Sequence, residues 1–176
     1  DDIIVKELHI PKGKKVHFKI RSQDVLHSAY FPHFRAQMNC VPGMVTEFAF
    51  TPTYTTTEYR ELPFMQKKVE NINALRTKKS NELAALGQGP LDPYTFDYLL
   101  LCNKICGTSH YNMQMKVVVD TPAEYKAWLS EVSKSTVLKQ VEGAKVQDLD
   151  PIEAQMPIDS TGVVDTVAVS VKIASK

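Results

Sequence analysis

Two thiols, an imidazole and a thioether fall within twelve residues of this chain: Cys102, Cys106, His110 and Met113. Soft sulfur ligands combined with imidazole suit copper, and an added methionine points away from zinc, which takes cysteine and histidine. A mononuclear blue-copper site uses one thiolate. Two thiolates four residues apart suggest two metal ions sharing both sulfurs, with one imidazole for each. His110 supplies one, and the second must come from elsewhere in the fold. Three other readings stand beside this one. The four residues could form a stripe on one helix, Cys102 and Cys106 could form a disulfide in a secreted domain, or the group could hold a structural zinc. The disulfide accounts for neither His110 nor Met113. Gly107-Thr108-Ser109, between two β-rich runs, favours a loop over a helix.

The elements that must position this loop are mostly strands. Residues 95–101 are strongly apolar and 114–120 read as a second strand. Upstream, 2–10 (Ile4, Lys6, Leu8 and Ile10 on one side) and 15–21 (Val16, Phe18, Ile20) alternate, with a turn at Pro11 to Lys14. Residues 25–31 are apolar around His27 and Ser28, Pro42-Gly43 marks a turn, and 44–51 alternate again. Residues 65–86 lack Gly and Pro, and Val69, Ile72, Leu75, Leu83 and Leu86 predict an amphipathic helix ending near Gly87. A loop follows over 87–94. Thr121-Pro122-Ala123-Glu124 is a capping-box helix start. That helix should run to about Ser133 with Tyr125, Trp128 and Leu129 on its apolar side. The 163–173 stretch could add an edge strand or dock as a loose tail on another subunit. This divides the chain into a β-domain over 1–133, with a helical insertion at about 55–94, and a C-terminal extension over 134–176.

The bulk numbers exclude several classes. The chain has 176 residues, with 21 basic and 20 acidic side chains and a net charge of +1. No basic excess is present to neutralise phosphates, which argues against nucleic acid. A 43% hydrophobic content argues against disorder. Three cysteines are too few for a disulfide scaffold. No run of 18 apolar residues would span a membrane. With no initiator methionine and no signal-peptide pattern, Asp1 reads as a processed or truncated start. The six basic and three acidic residues within 60–82 read as a solvated helix face.

Cys102-Asn103-Lys104-Ile105-Cys106-Gly107-Thr108-Ser109-His110-Tyr111-Asn112-Met113 resembles the dinuclear copper loop, of the CuA type, of cytochrome c oxidase subunit II. Asp24-Val25-Leu26-His27-Ser28 is similar to that family's segment carrying the first histidine ligand, and Pro32 and Val41-Pro42-Gly43 fall where the family has them. The resemblance covers about 16–51 and 95–130. It implies a mainly β, cupredoxin-like Greek-key sandwich with an inserted helix and a C-terminal helix. It implies copper held by bridging Cys102 and Cys106, by His27 on one ion and His110 on the other, with Met113 and the Lys104 carbonyl as weak ligands. The implied role is to take single electrons from cytochrome c, whether soluble, fused or in a neighbouring complex. They pass to haem in subunit I, where oxygen is reduced to water. The other oxidase subunits are implied partners. The implied place is the periplasmic face of the bacterial inner membrane, anchored by N-terminal helices that precede this chain. Nitrous oxide reductase shares the cysteine loop, but the Asp24–Ser28 and Val41–Gly43 segments favour the oxidase. A copper or zinc module without redox function is a third possibility. Quinol oxidase subunits lack the cysteines.

The sequence also departs from the family. Lys104 stands where glutamate usually helps hold a magnesium, and a lysine side chain cannot ligate a cation. Asn39 replaces the usual aspartate, and Cys40 a small residue. Trp128 is not by position the family's electron-receiving tryptophan. The 55–94 insertion resembles long-insert bacterial forms. Cys40 is expected as a small buried thiol and His33 as a packed or surface imidazole. His9 and His17 should face solvent, and Met115 should face the core opposite Met113. Leu99, Leu101 and Ile105 should shield the metal from water. Asp24 matches a family position associated with cytochrome c docking.

Overall fold

A computed structural model describes residues 5–135 and 166–173. Chain order is β1 (Glu7–Pro11), β2 (Lys15–Ser22), β3 (His27–Phe31), β4 (Ala36–Cys40), β5 (Thr46–Phe50), α1 (Thr56–Glu61), α2 (Pro63–Ala85), β6 (Tyr98–Leu101), β7 (Gln114–Asp120), α3 (Pro122–Ser135) and β8 (Thr166–Ile173). Short 3-10 helices occupy Pro32–Phe34 and His110–Asn112. The strands form two sheets, ordered β1-β7-β6-β3-β4 and β5-β2-β8. β1 pairs parallel with β7 and β2 parallel with β8, while the other pairs are antiparallel. The expected mainly β sandwich, with an inserted helix and a C-terminal helix, is the architecture found.

Period-two alternation builds the core. Along β2, Val16, Phe18 and Ile20 are buried while Lys15, Lys19 and Arg21 face out. They meet Ile10, Ala29, Phe31, Val117 and Val119 of the five-stranded sheet. Phe18 stacks on Phe48 and Phe50 at about 5 Å, and Phe31 tilts against the same group. Aromatic pairs of this kind add about 0.5–1.5 kcal/mol each beyond their buried area.

Several boundaries differ from expectation. The strand expected over 95–101 begins only at Tyr98, and that expected over 25–31 begins at His27. β4 was not expected at all. Neither was α1, which starts with a complete capping box: Thr55 Oγ1 accepts from Glu58 N–H, and Glu58 accepts from Thr55 N–H. α2 matches the expected helix closely, but its stripe is not continuously buried. Met65 is 2% exposed whereas Leu75 is 67% exposed. Only the first turns of the helix reach the core. The return segment is tied along the rest by Tyr94 N–H to Asn73 Oδ1, Arg76 to the Asp92 carbonyl and Leu91 N–H to Ser80 Oγ. β8 is the edge strand read from 163–173, where 163–165 lie outside the described residues.

His9 does not simply face solvent. Its Nδ1 lies 2.6 Å from Asp120 Oδ2, and its ring stacks on Trp128 at 4.5 Å, which seats α3 against β1. His17 is half-exposed, as is Tyr125, while Leu129 on the expected apolar side of α3 is exposed.

Candidate metal centre

The site sits where three strands end. His27 opens β3, Cys102 follows the last residue of β6, and Met113 precedes β7. Between them, 102–113 run as a loop with one 3-10 turn, not as a helix. Cys102 N–H donates to the Met113 carbonyl at 3.1 Å, which closes the base of the loop. Gly107, at φ +138°, takes a backbone conformation that L side chains rarely adopt. The 3-10 turn then carries His110 back over the thiols, with His110 N–H bonded to the Gly107 carbonyl.

The folded loop brings the expected ligand atoms together. The sulfurs of Cys102 and Cys106 are 3.7 Å apart, and both thiols are free. Cys106 Sγ lies 3.5 Å from His110 Nδ1 and 3.7 Å from Met113 Sδ. Cys102 Sγ lies 3.3 Å from the Lys104 carbonyl. One ring nitrogen of His27 and the two thiol sulfurs lie within 4.8 Å of one another. Residues 75 positions apart in sequence (His27 and Cys102) are thus neighbours, and the second imidazole is found.

His27 is fully buried, and its Nε2 lies 2.7 Å from Asp24 Oδ1. The carboxylate accepts, so Nε2 carries the proton and Nδ1 is the basic nitrogen. Among the described residues, Nδ1 is buried without a hydrogen-bond partner. A buried basic nitrogen left unpartnered beside two thiols is what a metal ligand needs, and a second-layer carboxylate fixing the tautomer is the usual arrangement behind a ligating histidine. Two sulfurs, two imidazoles, a thioether and a carbonyl form a soft donor set, which fits copper better than zinc. This carboxylate was the residue expected at a docking position, and its bond to His27 was not foreseen. The signal was present, because Asp24 lies only three residues before His27.

Burial pushes the Cys102 thiol up, but backbone groups at Lys104 and Ser28 and the neighbouring side chains of His27 and Cys106 outweigh it and hold the group at about 6. Cys106 moves the other way, raised by burial and by the charge on Cys102. The paired thiols thus share one negative charge readily and resist a second, which a cation would relieve.

The remaining candidates separate cleanly. Cys40 is fully buried opposite His27 in the β3–β4 register, and burial lifts its thiol to about 11. It is a small buried thiol, as expected. His33 is a packed imidazole, edge-on to Phe96 at 4.9 Å and Tyr98 at 5.7 Å, with burial and then Lys68 lowering its basicity. Met115 packs partly against the core. Ile105 does not shield the site, for it is 94% exposed, with Tyr111 also exposed beside it in the loop. Leu99 and Leu101 are half-buried.

No family model matches the chain. Over 133 residues it is 35% identical to an alternative cytochrome c oxidase subunit 2 of Bradyrhizobium diazoefficiens, covering 74% of this chain and 34% of that protein. It is 26% identical over 127 residues to a cytochrome c oxidase subunit 2 of Thermostichus vulcanus, covering 72% of this chain and 26% of that one. Among solved structures, the periplasmic domain of subunit II of cytochrome oxidase from Bradyrhizobium japonicum aligns with a TM-score of 0.49 at 17% identity, over 73% of this chain and 64% of that one. The chain spans about a quarter to a third of the length of the subunit 2 proteins it matches. No described helix is long and apolar enough to cross a membrane. Kinship at this level, 35% identity over 74% of the chain, makes the chain a member of the cytochrome c oxidase subunit 2 family.

Proposed function

We propose that this domain is the electron-transfer module of a haem–copper terminal oxidase, built around a dinuclear copper centre. The reading rests chiefly on the convergence of two thiols, two imidazoles, a thioether and a carbonyl at one end of the sandwich. Cys102, Cys106, His27 and His110, with Met113 Sδ and the Lys104 carbonyl, would be the residues that hold the copper. When bound, copper supplies one-electron exchange.

The chain's own residues do the rest. Cys102 is held low enough to be a thiolate at neutral pH. Asp24 keeps the His27 proton on Nε2 and leaves Nδ1 basic. The strand ends limit ligand motion, and an electron-transfer site benefits from ligands that move little between oxidation states. The Lys104 ammonium, itself a cation, binds no metal ion, so a magnesium ion on that side chain forms no part of this reading. Electrons arrive from a reduced cytochrome c and leave to haem in subunit I, at the periplasmic face of a bacterial inner membrane.

The test is metal content and spectroscopy of the reconstituted chain. Two coppers per chain, intense visible absorption and an electron-spin spectrum of one unpaired electron shared by two copper nuclei are expected. One zinc and no colour would refute the proposal.

A further inference from the structure

β3 sends alternate side chains to opposite faces. Ala29 and Phe31 belong to the core, and His27 shares their face by alternation. Ser28 projects from the other face, and it is 1% exposed. Its hydroxyl donates to Asn103 Oδ1 and accepts from Asn103 N–H at 3.0 Å. Gln37 Nε2, from β4, donates to the same Asn103 oxygen at 3.3 Å. Ser28 directly follows His27, and Asn103 directly follows Cys102.

The location explains why such a link is needed. β3 and β6 pair through a single residue pair, Tyr30 opposite Leu101. Two residues further along the same antiparallel register, Ser28 stands opposite Asn103. The backbone ladder has ended there, so side chains must carry the connection between the strand that bears His27 and the loop that bears both thiols.

We propose that Ser28 and Asn103 form a positioning clamp that fixes the His27 ring against the Cys102 sulfur and so sets the strength and electronic character of the metal centre. This rests on the copper reading above. Neither side chain touches the metal; each acts through the ligand beside it. Partners of this kind, one layer behind the ligands, typically change metal affinity 10–100-fold when removed.

The test uses the full chain with copper added, and compares wild type, Ser28→Ala, Asn103→Ala, the double variant and Ser28→Thr. Copper retention against a chelator, the copper hyperfine pattern and the midpoint potential are read, with far-ultraviolet dichroism to confirm folding. Each single alanine variant should hold copper about 10–100-fold less tightly and change the hyperfine pattern and the potential. The double variant should be no worse than Ser28→Ala, because Ser28→Ala already removes both bonds whereas Asn103→Ala removes only the one to Oδ1 and keeps the backbone N–H donor. Ser28→Thr should restore the wild-type values. Folded alanine variants with wild-type copper retention and hyperfine pattern would overturn the clamp. So would additive losses in the double, or a threonine variant no better than the alanine one. Asn103 lies in an exposed loop, so its variant keeps the test valid if Ser28→Ala misfolds. A wild-type chain that takes up no copper pair refutes the functional reading and the clamp with it. A wild-type centre beside indistinguishable variants refutes the clamp alone.

Discussion

Replacing Asp24 separates two roles that its position allows. Its carboxylate is 2.7 Å from Nε2 of a fully buried His27, while the carboxylate itself is 31% exposed. As a hydrogen-bond acceptor to a candidate ligand imidazole it fixes the tautomer, leaves Nδ1 available and stops the ring from turning. Hydrogen bonds to charged groups contribute roughly 1.5–3 kcal/mol. Loss of a partner behind a metal ligand typically costs 10–100-fold in affinity, or about 1.4–2.7 kcal/mol. The two routes agree. Asp24→Ala should therefore weaken copper retention by about 10–100-fold. Asp24→Asn keeps an uncharged acceptor and should fall between alanine and wild type. The assay is chelator competition on the intact chain, run beside the rate of reduction by cytochrome c across a range of ionic strength. A carboxylate used only for docking gives the opposite pattern: unchanged copper retention, with slower reduction at low salt and a flattened salt dependence. That pattern in a folded Asp24→Ala chain would refute the reasoning.

Cys40→Ala should keep the full copper complement and spectrum, because its buried thiol is held at about 11. It should cost about 1–2 kcal/mol of stability from the small cavity left behind, read by denaturant unfolding; loss of copper would make Cys40 a ligand. Glu58 bonds Lys12 Nζ at 2.6 Å and caps α1, and the Lys12 bond, then Thr55, lowers its carboxyl below the ordinary glutamate range. The stability from a depressed carboxyl is complete above its unfolded value and is lost as pH falls through the folded one. The melting temperature of wild type should therefore exceed that of Glu58→Gln at neutral pH and converge on it in acid, and parallel curves would exclude the Lys12–Glu58 pair as the source.

The candidate ligands were legible because most of them are local in sequence. Cys102, Cys106, His110 and Met113 lie on one loop, and ligand type alone pointed to copper. β2 was legible because Val16, Phe18 and Ile20 alternate without interruption. β4 was not, since Ala36-Gln37-Met38-Asn39-Cys40 lacks β-branched residues and follows Arg35, which sits at φ +51°. α1 was hidden within the insertion, although Thr55 and Glu58 spell its capping box. Ile105 failed as a shield because apolar character does not say which way a loop side chain points. The bonds behind the ligands depend on side-chain placement between separate elements. Ser28 and Asn103 are 75 residues apart, and neither has a residue type that singles it out.

That division has a mechanical consequence. The core aromatics hold the two sheets together through Phe18, Phe31, Phe48 and Phe50. The centre lies beyond the end of the β3–β6 ladder, where a single backbone pair joins the two strands. Its ligands are held instead by the Cys102–Met113 backbone bond, the Gly107 turn, the Asp24–His27 bond and the Ser28–Asn103 pair. Sandwich stability and centre geometry thus rest on different contacts. Trimming Phe18 would lower the melting temperature by opening a cavity with little effect on the spectrum of the surviving folded molecules. Trimming the bonds behind the ligands would change the spectrum at nearly constant melting temperature. A fold divided in this way would let the properties of the proposed copper centre be tuned at the loop end without loosening the scaffold that holds the candidate ligands.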